Sequence, residues 1–315
     1  MDERDWEILC EIDGKRSISK LSEALFISQP ALTYRINKIE KFFGAKLFIR
    51  NNQGIQITPQ GEQAIQYAKH MTQELRRTRE SIFTMEGQIK GTIRIGSSDA
   101  VAKYLLPDIL STFLAHHPSV DVKLVTGFTS KIANLLSHGE IHIALLRENI
   151  GPNAYQHLLS TENLYLVSNS PVELTDLPSL ARINYITNPS LQMLINQWWS
   201  THFQVPPTIS MEVDSAETCK ELVRAGLGYA ILTGLLLASE PDLHCRPLYD
   251  HNHQPLRRET WIYSTNEALS YLSVRTFIEF LIVSVPEFIE RDNRKGHGPH
   301  SAVKNPNDSS SSYQR

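Results

Sequence analysis

A run of spaced residues between positions 64 and 89 constrains this chain most. Ala64, Ala68, Met71, Leu75, Thr78, Ile82, Met85 and Ile89 step by alternating four and three. That is a heptad seam, with Thr78 as its one polar member. Thr58-Pro59 opens the helix with a cap and a first-position proline, and Gly91 ends it. From Pro59 to Ile89 the helix spans about 46 Å at ~1.5 Å per residue. One small domain cannot readily bury so long a seam. The pattern therefore predicts a partner helix, most simply from a second copy of the chain; the other reading is packing on its own domain.

Before the seam lies Ser28 to Phe43. Leu32, Ile36, Ile39 and Phe43 recur at helical spacing. Ser28 is a good N-cap, Pro30 falls in the first turn, and Gly44 stops the helix. The opposite face carries Gln29, Thr33, Tyr34, Asn37 and Lys38, and positions 28–50 hold five Lys/Arg against one acid, Glu40. Periodicity alone also fits an ordinary amphipathic helix with a solvated face. The neighbours favour a reader. Trp6, Ile8, Leu9 and Ile12 start a first helix, and Ser17 or Ser19 caps a second with Leu21, Ala24 and Leu25 inward. Phe26-Ile27 then turns into the third. Two short helices joined by a tight turn form a helix-turn-helix. Residues 47–58 read as a hairpin with an Asn-Asn-Gln-Gly turn. Beside a helix-turn-helix such a hairpin is a wing, with Arg50 and the tip amides on phosphates.

From Gly91 onward strands and helices alternate. Expected strands are 92–96, 120–125, 141–146, 163–168, 184–187, 208–213, 229–233 and 259–263. Helices are expected near 103–116, 130–137, 191–202, 216–225 and 268–285. The alternation predicts a mainly parallel sheet. The polar, serine-rich residues 291–315 read as a disordered tail.

Composition removes several classes of function. The chain has 315 residues and a formal net charge of -3, so any DNA affinity is local. Three distant cysteines argue against a disulfide framework and fit a reducing cytoplasm. The acidic start is no signal peptide, and no apolar run reaches the ~18 residues of a membrane span. The dinucleotide fingerprint, the P-loop and the nucleophile elbow are missing. His116-His117, His251-x-His253 and His297/His300 have no third ligand at useful spacing, so no metal, cofactor or catalysis is expected.

The residues 25–61 carry Leu25-x-Ile27-Ser28-Gln29-Pro30-Ala31-Leu32-Thr33, Ile36-x-x-Ile39-Glu40, Phe43-Gly44-x-x-Leu47-Phe48-x-Arg50 and Ile57-Thr58-Pro59-x-Gly61. Further on stand Gly91-x-Ile93-Arg94-Ile95-Gly96, Leu105-Leu106-Pro107, Gly139-x-Ile141-x-Ile143-Ala144 and Val223-x-Ala225-Gly226-Leu227-Gly228. With these blocks the chain resembles the LysR-type transcriptional regulators over roughly residues 3–290. It departs from their pattern at Leu21-Ser22, at Thr33 and at His142, where the family favours Ala-Ala, Ser and Asp.

The resemblance implies a winged helix-turn-helix DNA-binding domain (1–58), a linker and dimerisation helix (59–90) and an effector-binding domain (91–290). The last is a two-lobed α/β unit like the periplasmic binding proteins, with lobe one at 91–161 and 266–290 and lobe two at 162–265. The implied partners are double-stranded promoter DNA, a second copy in a homodimer or homotetramer, a small-molecule effector, and RNA polymerase as a further candidate. Expected groove contacts are Gln29, Pro30, Ala31, Thr33, Tyr34 and Lys38. Ser28, Arg35, Arg50, Asn52 and Thr58 are candidate phosphate or wing contacts. The effector cleft is expected where strands end in loops. Candidates are Ser97, Ser98, Ala100, Phe128, Thr129, Ser130, Arg147, Asn188, Ser190, Asp214, Ser215 and Thr233, each Ser or Thr being equally a plain helix cap. The family often binds carboxylates, which makes Arg147 the candidate charge partner; an interlobe or dimer salt bridge is its other reading. Two alternatives remain: a repressor without effector, and a solute-binding module, which would need an export signal and no helix-turn-helix.

Overall fold

The computed structural model describes residues 1–12, 17–51, 54–85, 89–237 and 242–292. They fall in two compact units, Met1–Gly87 and Gln88–Arg315. Among the described residues no helix is long and apolar enough to cross a membrane.

In the first unit α1 (Glu3–Ile12), α2 (Ile18–Ala24) and α3 (Gln29–Phe43) precede the hairpin β1 (Phe48–Asn51)–β2 (Gly54–Ile57) and the long α4 (Pro59–Met85). The expected apolar face of α3 is buried at Leu32, Ile36 and Ile39, against Ile8, Leu9 and Leu21. The Ser28 hydroxyl accepts the Ala31 N–H at the start of α3, and Gly44 closes it at φ 65°. The α2 expectation is corrected. Ser17 occupies the cap position without a side-chain hydrogen bond, and Ser19 lies inside the helix. Ser22 rather than Ala24 is turned inward, its hydroxyl donating to the Ser19 carbonyl at 2.8 Å. Gly61 lets the first turn of α4 meet β1: a Cβ there would stand 2.2 Å from the Leu47 carbonyl oxygen.

The seam divides. Ala64 and Ala68, with Ile65, complete the core of this unit. Met71, Leu75, Ile82 and Met85 are exposed, Leu75 at 44% and Ile82 at 49%. The described helix ends at Met85, and Ile89 packs, partly buried, against the core of the second unit.

The second unit runs β3 (Gly91–Ser97), α5 (Asp99–Tyr104), α6 (Leu106–His116), β4 (Val120–Thr126), α7 (Thr129–Ser137) and β5 (Ile143–Leu146). Then come β6 (Tyr155–Ser168), β7 (Ala181–Tyr185), α8 (Pro189–His202), β8 (Thr208–Val213), α9 (Ala216–Arg224) and β9 (Ala230–Thr233). The last are β10 (His244–Pro247), β11 (Arg257–Ser264) and α10 (Leu272–Asp292). The helix α10 passes through Pro286. It thus runs past the expected end at 285 and takes in the first two residues of the expected tail; 293–315 lie outside the described residues.

The sheet is mixed, not mainly parallel. The pairs β3–β4, β3–β5 and β7–β8 are parallel. All pairings of β6 and β11 are antiparallel. The cause is the 14-residue β6. Its first part pairs with β11, and from Leu164 it pairs with β9 and β10 instead. One strand therefore joins two sheets, each with its own core: Ile93, Ile95, Phe113 and Phe277 on one side, Leu164, Leu166, Trp198 and Tyr229 on the other.

Candidate DNA-reading surface and effector cleft

At the start of α3 Ser28, Gln29, Pro30, Ala31 and Tyr34 are exposed, and Thr33 is half-buried. Gln29 Nε2 donates to Ser19 Oγ at 3.1 Å, which ties its amide to α2. Two expected contacts are committed elsewhere. Arg35 Nη1 lies 2.6 Å from Asp5 Oδ1 and 2.9 Å from Asp2 Oδ1, and Lys38 Nζ donates to Asp5 Oδ2 at 3.1 Å. Asp5 is fully buried. Burial pushes its carboxyl up, but the Asp2 amide, Arg35 and Lys38 outweigh that and hold it below the usual range. The Arg35 hydrogen bond likewise lowers Asp2. Arg35 is raised, Asp5 being the largest cause. These two cations tie α3 to Asp2 and Asp5 at the N-terminus, while Lys38 keeps 45% of its side chain exposed.

Thr58 is corrected. It is buried, donates to the Lys46 carbonyl at 2.8 Å and accepts the Gly61 N–H at 3.0 Å. It pins the base of the wing to α4 and leaves no group for phosphate. Arg50 pairs with Ile55 through its backbone in the wing hairpin, and Asn52 lies outside the described residues. Glu40, half of one sequence block above, proves to be the other wing anchor. It is buried, and its Oε1 accepts the Leu47 and Phe48 N–H groups at 3.0 and 3.1 Å while Lys46 Nζ meets Oε2 at 2.7 Å.

In the second unit a cavity of about 240 Å³ is lined by nine of the expected residues: Ser98, Ala100, Phe128, Thr129, Arg147, Asn188, Asp214, Ser215 and Thr233. Three expected residues do not line it. Ser97, the last residue of β3, is fully buried with its hydroxyl on the Ser98 carbonyl, whereas Ser98 takes the cap position of α5. Ser130 is exposed on α7, and Ser190 donates to Glu148. The unforeseen lining includes Lys103, Tyr104, Tyr185, Ile186, Thr187 and Arg258.

Two guanidinium groups line the cavity, together with Lys103 and the carboxylates of Asp99, Asp214 and Glu217. Arg147 is buried, donates through Nη2 to Thr233 Oγ1 at 3.0 Å and forms an ion pair with Glu162. It lines the cavity as expected, and among the described residues its buried Nε has no hydrogen-bond partner. Arg258 donates from Nε to the Arg147 carbonyl at 3.1 Å and from Nη2 to Asn188 Oδ1 at 2.9 Å. Among the described residues no carboxylate comes within ion-pair distance of it. Burial pushes both groups down from the ordinary arginine value, Arg147 far down, with Arg258 as its second cause. Glu148 is the carboxylate that acts on Arg258. Burial raises its carboxyl, yet Ser190, Thr129 and Asn188 hold it low. Cys219 is buried, and burial raises its thiol to about 12, so at neutral pH it is an inert thiol.

A winged helix-turn-helix followed by an α/β unit with a polar cleft is the build of a ligand-responsive DNA-binding regulator. Two family models match: "Bacterial regulatory helix-turn-helix protein, lysR family" over residues 4–62 and "LysR substrate binding domain" over residues 86–283. The HTH-type transcriptional regulator YraN of Bacillus subtilis is 37% identical over 89% of this chain and 97% of its own length. YkuM of the same organism is 32% identical over 88% and 96%. Full-length CbnR, solved with its target DNA, has the same fold with a TM-score of 0.61 at 19% identity, covering 89% of this chain and 99% of that one. The chain belongs to the LysR family of transcriptional regulators, a family of regulators rather than of enzymes.

Proposed function

We propose that this regulator works as a homodimer or homotetramer in the cytoplasm, reads promoter DNA with Gln29, Pro30, Ala31, Thr33 and Tyr34, and takes a small anionic effector at Arg258. Residues 1–58 form the DNA-binding domain, 59–90 the linker helix and 91–290 the effector domain, its lobes dividing at 161/162 and 265/266; RNA polymerase is the partner at the promoter. Ser28 and Arg50 serve as backbone contacts. The exposed apolar residues Met71, Leu75 and Ile82 support pairing, because an apolar stripe on a single helix is covered by a second.

One observation carries the effector assignment: the Arg258 guanidinium lines the cavity with neutral acceptors on Nε and Nη2 and, among the described residues, no hydrogen-bond partner on Nη1. A half-buried charge of this kind is completed by an anion, and a carboxylate fits the planar fork. The effector acts on DNA binding only through unequal affinity for two arrangements of the chain. Titrating a panel of small carboxylates by calorimetry tests this. Arg258→Gln should weaken the best binder at least tenfold, the worth of one charge-assisted hydrogen bond. Equal affinity rejects the assignment, and no binder at all favours the effector-independent repressor.

A further inference from the structure

The turn before α3 contains a residue that breaks two rules at once. Phe26 has φ 52°, a left-handed backbone that glycine and asparagine adopt readily and bulky side chains rarely do. It is also 93% exposed, the most exposed large apolar side chain among the described residues. The seat is rigid: the Phe26 N–H bonds to the Glu23 carbonyl at 3.2 Å and the Ile27 N–H to the Ser22 carbonyl at 3.0 Å. Among the described residues the ring makes no aromatic contact, while Trp6, Phe42 and Phe43 cluster together elsewhere in the unit. Folding alone gives no reason for a phenylalanine here, since asparagine would relieve the backbone and expose no ring.

Position supplies the reason. Phe26 stands two residues before the cap Ser28 and beside the exposed first turn Gln29, Pro30 and Ala31. That end of a reader helix enters the major groove. There the ring's apolar counterpart is the 5-methyl group of thymine, the one apolar mark on a base edge. An uncharged ring has nothing to offer a phosphate. We infer that Phe26 is a specificity-determining residue that packs on a thymine methyl at the edge of each half-site, next to the base taken by Gln29. The strained turn aims the ring before DNA arrives.

The inference rests on DNA reading by α3, and the test separates the two. The full-length chain enriches duplexes from a random pool, and each thymine of the winner is then replaced by deoxyuridine, which removes the methyl alone. Wild type should lose about fourfold in affinity at one thymine per half-site, the worth of one buried methyl. Phe26→Asn should melt no lower than wild type, bind the parent duplex more weakly and show no loss at that thymine, while its other thymine sensitivities stay unchanged. Phe26→Leu should keep part of the effect. The inference is overturned if Phe26→Asn retains the wild-type pattern, if it weakens every duplex equally, or if it changes only sedimentation, which would give the ring to a second copy. A pool that enriches nothing removes the DNA-reading role itself, and this inference with it.

Discussion

Replacing Glu40 by alanine tests whether the wing is fixed to the reader helix by one carboxylate. Glu40 Oε1 is the acceptor for both the Leu47 and the Phe48 N–H groups, and these three residues are buried. Removing it strands two buried donors at about 1–3 kcal/mol each, so Glu40→Ala should cost roughly 2–5 kcal/mol. The Lys46 pair adds little, because that lysine side chain is 78% exposed. Glu40→Gln keeps a carbonyl oxygen for both donors and should cost only about 1 kcal/mol. Urea unfolding, with hydrogen exchange of the Leu47 and Phe48 amides, reads the difference. The pH dependence has a definite sign. Burial raises the Glu40 carboxyl, but Lys46 and the two amides hold it below its ordinary value. Its stabilisation is therefore full above the unfolded pKa of about 4.3 and is lost as pH falls through the lower folded value. Wild type and Glu40→Gln should converge at the acid end. The reasoning fails if Glu40→Ala is no less stable than Glu40→Gln at pH 7.

Two further outcomes follow from packing. Gly61→Ala places a methyl against the Leu47 carbonyl, where backbone has to shift, and should lower stability by about 1–3 kcal/mol in a thermal melt; an unchanged melt contradicts the close approach. Leu75→Ala removes roughly 1 kcal/mol of burial from each of two copies. It should therefore weaken the dimer about thirtyfold in sedimentation equilibrium, and unaltered association would place the interface elsewhere.

Much of the fold could be read from local signals, and the failures share a physical cause. The reader helix was legible because its cap, its proline, its apolar period and Gly44 lie within one stretch. The roles of Arg35 and Lys38 were not, because their carboxylates, Asp2 and Asp5, arrive from α1 about 30 residues away. Arg258 was missed for the same reason: Arg257-Arg258-Glu259 looks like the wet end of a strand until β11 sets it beside the Arg147 carbonyl. The long β6 was half seen, since its first part mixes exposed and sheltered residues without an apolar period, Leu158 being exposed, and only its last five residues are continuously buried. Ser97 and Ser98 are neighbours with different seats, because Ser97 ends β3 inside the core and Ser98 is the cap position of α5 on the cavity.

If an anion binds at Arg258 as proposed, it competes with Asn188 for the guanidinium. Asn188 Oδ1 accepts from Arg258 and also caps α8, taking the Leu191 N–H at 3.4 Å. An anion on Arg258 is a stronger acceptor than a neutral amide, so it draws the guanidinium away from the first turn of α8. Asn188→Ala separates two consequences. Loss of the cap should destabilise by about 1 kcal/mol. Loss of the competitor leaves Nη2 without its protein acceptor, so the best carboxylate of the panel should bind about tenfold tighter, the free energy of one net hydrogen bond to a charged group. If Asn188 instead serves to aim Arg258, the same variant binds more weakly. A weaker complex would thus show that orientation outweighs competition, and that α8 is held by Arg258 rather than released through it.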